Sequence, residues 1–345
     1  MSSFGLRTVS RVLLTVLASS LAACAPSMLR VGVVDGAVIL HKAPGSEVLS
    51  LNANTGEPLS TWTHDGAGSA PTTVPTDVFG RAVVLVHGAN GVAVRDARTG
   101  EITQRIFAAI DPHDRPVLSR TAMFLPTWAG ESSVWVGFDL QTGRRSLNLR
   151  CDSHAPLIAN DDVLATMKEG VLVGYSADDG RERWRSSLVV ERPVLIRGSH
   201  LLARLEDDVL GVFVASSGAL ARKLEPNSEV FGTGLGGAPK LVAWENSLGM
   251  LTSEGLTVVD LETGRNQFRH EGAESCVYSG SRVVVSVGTE LRGLDAATGA
   301  TRWKQELGAK PVAVTADART TLVQLEDALV ALDATSGKKL FTRPN

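Results

Sequence analysis

Cysteine is scarce in this chain. Three occur in 345 residues, Cys24, Cys151 and Cys276, and no two are adjacent. Too few cysteines are present to staple a fold, so the 43% of residues that are hydrophobic must build the core. Long apolar runs are also missing. A membrane-crossing helix needs about 20 apolar residues, and Val12–Ala18 falls well short. Positive charge is not in excess, the formal net charge being −3, and no basic stripe interleaved with aromatics is present, which excludes a nucleic-acid binder. A Gly-x-Ser-x-Gly elbow is absent, removing the commonest serine-nucleophile signature.

Metal chemistry finds little support. The seven histidines, His41, His64, His87, His113, His154, His200 and His270, show no paired ligand spacing and read as surface or turn residues. No dense cluster of Asp, Glu and Asn marks a hard-cation site. Asp161-Asp162 and Glu206-Asp207-Asp208 come nearest, and both read as solvated hairpin turns. The run Gly232-Thr233-Gly234-Leu235-Gly236-Gly237 precedes Pro239-Lys240-Leu241-Val242, which reads as a strand. A phosphate loop must open a helix, so this run is an inserted loop.

What the chain does contain begins with an export signal. Residues 1–23 carry Arg7 and Arg11, then Val12–Ala18, then small residues. They end in Leu21-Ala22-Ala23-Cys24. This box resembles the processing site of bacterial lipoproteins, and the resemblance implies cleavage before Cys24 and acylation of that cysteine. Two or more acyl chains hold a protein firmly to a bilayer. Ala25, where retention in the inner membrane would call for Asp, favours the outer membrane.

The remaining residues, 24–345, form a repeat. Leu291-Arg292-Gly293-Leu294-Asp295-Ala296-Ala297-Thr298-Gly299-Ala300-Thr301-Arg302-Trp303 reads as a strand, a tight turn and a second strand bearing an aromatic. It returns nearly verbatim from Leu329 to Phe341. Searching backwards gives eight turn glycines, Gly56, Gly100, Gly143, Gly180, Gly218, Gly264, Gly299 and Gly337, at intervals of 35 to 46 residues. Four strands and their turns occupy roughly 40 residues. An Asx residue four before the glycine, as in Asn52, Asp96, Asp139 and Asp260, accepts N–H bonds within the turn, while glycine supplies a positive φ. Val83-Val84-Leu85-Val86, Val171-Leu172-Val173 and Val283-Val284-Val285 are apolar on both faces, as strands covered on both sides must be. Inner strands are expected at Pro116-Val117-Leu118, Pro156-Leu157-Ile158, Pro193–Ile196 and Pro311–Val314.

These features predict an all-β chain, an eight-bladed β-propeller of four-stranded antiparallel blades closing between the first and the last. Seven blades result if the first unit is irregular. Cys151 and Cys276 then fall on blades four and seven, beyond bridging distance, as buried thiols.

The unit Asp-Ala-x-Thr-Gly-x-x-x-Trp, best seen from Asp295 to Trp303 and from Asp333 to Phe341, resembles the repeat of PQQ-type (quinoprotein-like) β-propellers. Trp184 and Phe268 hold the aromatic place in two further copies, while copies one, two, three and five lack it, which implies looser joints there. A lipoprotein built of eight such blades is similar to the BamB family of scaffold subunits. The resemblance implies a non-enzymatic, periplasm-facing scaffold on the outer membrane, a monomer within a complex. It also implies that one loop face docks on periplasmic domains of an outer-membrane barrel-assembly protein, through a leucine and arginine patch. The nearest equivalent is Leu195-Ile196-Arg197, so Leu195 and Arg197 are the partner-binding candidates. Trp128, beside the Ala129-Gly130 hairpin, joins them as an aromatic near a loop. No cofactor is expected. Two rival readings remain open: a PQQ-binding redox enzyme or sensor sharing the repeat, and an envelope ligand-binding or adhesion module.

Overall fold

The structure, a computed structural model, describes residues 29–42, 46–64, 72–74, 82–88, 91–108, 116–119, 121–129, 132–152, 155–206, 209–224 and 240–345. The acylation candidate Cys24, the Gly232–Gly237 run, and Asp207-Asp208 lie outside these residues.

Eight four-stranded antiparallel sheets account for the described chain, and strand order within each follows sequence order. The blades span residues 29–63, 72–107, 117–151, 158–189, 192–224, 240–271, 275–306 and 313–344. The count is therefore eight, because the first unit is a four-stranded blade like the others. No α-helix occurs among the described residues. Within a blade the two middle strands are the most deeply buried, as Val163–Lys168 and Val171–Ser176 show, because sheets cover them on both faces. The outermost strand alternates; Arg145–Cys151 exposes one face and buries Leu147, Leu149 and Cys151 on the other.

Both the first-to-second and the third-to-fourth strand turns fall at one end of the ring, termed here the turn end. In every blade they are tied by one backbone bond, donated by the residue three before the turn glycine, for example Ala53 N to Gly36 O (2.9 Å) and Ala334 N to Arg319 O (2.8 Å). The turn itself closes through the glycine N–H onto the carbonyl four residues earlier, as from Gly299 to Asp295 (2.9 Å). Asp96 Oδ1 accepts from the N–H groups of Arg98 and Thr99, both at 2.9 Å. The eight turn glycines have φ between 67° and 74°, so a side chain there would be strained. Each turn is followed by a register shift between the third and fourth strands, as at Ser50/Leu51 and Gly293/Leu294. Such a bulge twists the outer strand and sets which of its residues reach the next blade.

That reach joins the ring. Trp303 of blade seven lies where a Cβ on Gly337 of blade eight would fall, and Trp184 covers Gly218 of blade five in the same way. Phe268 covers Gly299, and Phe341 closes the ring on Gly56 of blade one. An indole also donates across the joint, Trp184 Nε1 to Ala215 O (2.8 Å) and Trp303 Nε1 to Ala334 O (3.1 Å).

The four joints expected to be loose are filled by other chemistry. Gln104 sits at the aromatic place on Gly143, its amide oriented to donate to Leu140 O (3.1 Å) and accept from Gly143 N. Leu147 and Leu149 cover Gly180, and the Arg222 guanidinium donates to the carbonyls of Glu262 and Thr263 beside Gly264. In blade one the aromatic comes two residues later: Trp62 packs on Gly100, while Ser50 Oγ donates to Ala97 O (2.6 Å) in its stead. Trp62 Nε1 is left buried without a partner. Every blade interface holds an apolar cluster, and the closing one joins Val38, Leu40 and Leu51 of blade one to Leu322, Leu329 and Ala331 of blade eight.

Of the inner strands that proline announced, Val117–Leu118 directly follows its proline, Ile158–Ala159 and Ala313–Ala316 begin two residues after theirs, and one strand includes its proline. Pro193 is the second residue of Arg192–Arg197, and the register shifts between Pro193 and Leu195, since proline has no N–H for the ladder.

Candidate functional site: the channel mouth

At the turn end, first-strand turns from blades three to six surround a cavity of about 540 Å³ at the mouth of the central channel. Blade three contributes Leu118 and Ser119, blade four the turn from Ala159 to Asp162, blade five Ile196 to Gly198, and blade six Glu245 and Asn246.

These turns are built to project polar groups. Asn160 organises the blade-four turn, its Oδ1 accepting from Asp162 N (3.0 Å) and Val163 N (2.7 Å). Its Nδ2 donates to Gly198 O (2.8 Å), which binds the turns of blades four and five together. Glu245 takes a left-handed conformation, φ 46°, at the tip of its turn. Among the described residues the mouth thus carries three carboxylates, Asp161, Asp162 and Glu245, with the guanidinium of Arg197 among them. Asp161-Asp162 is the hairpin turn that its sequence announced.

Behind this mouth an aromatic pair is packed into the interface of blades six and seven, with Trp244 1% exposed. Tyr278 of blade seven stacks on Trp244 of blade six, with ring centroids 5.5 Å apart and planes 9° from parallel. Burial pushes the Tyr278 hydroxyl above its ordinary pKa, Glu245 adding to the shift and Arg197 opposing it. Chemically the mouth offers hydrogen bonds and charge. Among the described residues no group of three or more His, Cys, Asp and Glu is placed to hold a metal ion.

The sequence candidates separate. Arg197 lines the mouth, and Leu195, two residues before it, is half-buried against the apolar cluster shared by blades five and six. Trp128 lies at the other end of the ring, where its backbone pairs with Ser133 beside the second-to-third strand hairpin of blade three. The structure therefore joins Leu195 and Arg197 in one region and sets Trp128 apart. Asn160, Glu245 and Tyr278 carried no signal in the sequence, since each acquires its place from blades about 40 residues apart.

Two histidines depart from the surface reading. His41 and His64 are 2% and 4% exposed, and their Nε2 atoms lie 3.1 Å apart in blade one. One ring donates and the other accepts. Cys151 and Cys276 are free, buried thiols in separate clusters, as their positions on the ring required.

A closed ring of eight such blades, locked by aromatic and equivalent side chains over turn glycines, defines a PQQ-type repeat propeller. A family model described as "Outer membrane protein assembly factor BamB" matches residues 104–273 and 243–345, more than half of the chain, and the chain belongs to that family. Among solved structures, BamB from Moraxella catarrhalis is similar at 16% identity and a TM-score of 0.53, over 89% of this chain and 92% of that one. Dihydro-heme d1 dehydrogenase NirN in complex with DHE is similar at 14% identity and a TM-score of 0.61, over 91% of this chain and 74% of that one. Hsv2 from Kluyvelomyces marxianus follows at 14% identity and a TM-score of 0.51, over 81% and 99%. At these identities the likenesses concern fold alone. No curated protein matches the chain's sequence.

Proposed function

We propose that the chain is a non-enzymatic scaffold lipoprotein of the outer membrane, facing the periplasm, that serves the assembly of outer-membrane β-barrel proteins. Its family supports the reading, and the observation that carries it is the mouth around Arg197. The Arg197 guanidinium among three carboxylates suits a polar protein surface better than a small apolar ligand. Leu195 and Arg197 are, in this reading, the counterpart of the leucine and arginine patch that the family resemblance implies. In this reading residues 1–23 direct export, Cys24 carries the acyl chains, and anchoring raises the effective concentration of each modest contact.

The test is purification of the tagged protein from its native envelope in mild detergent, with co-purifying proteins identified by mass spectrometry. Stoichiometric recovery of an outer-membrane barrel-assembly protein is expected, lost in Arg197→Glu while the thermal unfolding midpoint is unchanged. Recovery of the tagged protein by itself at every salt concentration would contradict the proposal.

A second reading draws on the likeness to NirN, whose fold also serves an enzyme. A redox cofactor seated in the channel is its core, and an absorbing cofactor that co-purifies in stoichiometric amount would support it.

A further inference from the structure

The outer strands of blades two and three differ from the mouth in every chemical respect. Ile102–Phe107 and Arg145–Cys151 contain no carboxylate, and they carry Arg105, Arg145 and Arg150. On the first strand Gln104 and Ile106 turn inward to blade three, which leaves Arg105 and Phe107 on the outward face. Phe107 is 74% exposed, the most exposed large apolar side chain among the described residues, and Ile102 is 37% exposed. Arg150 holds the place on blade three that Phe107 holds on blade two, each seven residues past its turn glycine. Arg105 and Arg150 are exposed and have no ion-pair partner, and Arg145 donates only to neutral Asn148 (2.8 Å).

We propose that this patch meets anionic phospholipid headgroups and lays the blade-two side of the ring against the bilayer. Arginine binds phosphate through a rigid donor fork, and an exposed phenylalanine buries at the boundary between headgroups and acyl chains. The proposal rests on lipidation at Cys24. Leu29 opens blade one five residues after Cys24, so the tether reaches at most about 17 Å. Blade two is the neighbour of blade one, and the first strand of blade one starts at the ring end where Phe107 lies. Leu29 lies on an inner strand and the patch on outer strands, about 14 Å away across the width of a blade, a distance the tether spans. Edge-strand cations also discourage strand-to-strand association, but that role calls for neither Phe107 nor a response to lipid charge.

The lipidated protein, reconstituted into vesicles of phosphatidylethanolamine and phosphatidylglycerol, tests it. A fluorescent label is placed at Ile102→Cys on blade two or at Asn266→Cys, the equivalent place on the opposite blade six. Cys151 and Cys276 are buried and stay unlabelled. A lipid-borne quencher is expected to dim the blade-two label several-fold more than the blade-six label. Adding Arg105→Glu and Arg150→Glu, or replacing phosphatidylglycerol by phosphatidylcholine, is expected to abolish the contrast, each cation contributing about fivefold at such a surface. Flotation with the vesicles but equal quenching at both labels overturns the patch and leaves the anchor standing. Failure to float overturns the anchor, and the patch with it.

Discussion

The joint between blades seven and eight gives the sharpest stability prediction. Trp303 is 8% exposed and lies between Gly293 of its own blade and Gly337 of the next, and a Cβ on either glycine would overlap the indole. Trp303→Ala removes that ring and the bond from Nε1 to Ala334 O, and a buried Trp→Ala change costs about 3–5 kcal/mol. Gly337→Ala costs about 1–2 kcal/mol for the left-handed backbone, where φ is 70°. A further ~1–3 kcal/mol comes from overpacking against the indole. The indole is absent in the double variant, so the overpacking cost vanishes and only the backbone cost remains. The two changes should therefore be non-additive, the double variant being more stable than the sum of the singles by about 1–3 kcal/mol. Urea unfolding followed by far-UV circular dichroism measures the cycle, provided each variant unfolds in one transition. Additivity within about 0.5 kcal/mol would refute the claim that the tryptophan locks on that glycine.

Other outcomes follow from the same structure. Gln104→Leu should cost about 1 kcal/mol through loss of its bond to Leu140 O, readable as a lower urea midpoint at constant slope. Burial pushes the Cys276 thiol up to about 12, so alkylation at pH 8 should modify it only as fast as the protein unfolds, an arrest that urea relieves. The Asp295 carboxyl is held down to about 2, first by the Arg302 guanidinium and then by the Thr298 hydroxyl, against an ordinary value of 3.8. A depressed carboxyl stabilises the fold above its unfolded value and loses that contribution as pH falls. Acid titration should thus weaken wild type between about pH 4 and 2 more than Asp295→Asn, as thermal midpoints across that range would report.

Much of this architecture is legible in the chain because its determinants are local. Gly299 and Asp295 belong to one five-residue turn whose bonds are made within it, and the apolar runs around Val84 and Val284 declare burial on both faces. Trp184, Phe268, Trp303 and Phe341 are likewise readable, since an aromatic four residues past a turn glycine has one place to go. Gln104 and Arg222 escape that rule because the joint needs volume and a donor over the glycine, which an amide or guanidinium also supplies. Trp62 escapes it by arriving two residues later on the same strand face. The buried pair His41 and His64 is hidden for another reason: its partners are brought together by pairing across three strands of blade one. The channel mouth is the least legible part, because Asn160, Arg197, Glu245 and Tyr278 meet only when the ring has closed.

The central claim is that the turn end of the ring docks on the barrel-assembly machinery through its channel mouth. Site-specific photocrosslinking in the native envelope tests it most directly, with the crosslinker at Asp162 on the mouth or at Glu254 at the opposite end. The account predicts a crosslink from position 162 to a barrel-assembly protein and none from position 254. Crosslinks to that protein from position 254 alone, or from neither position, would contradict it.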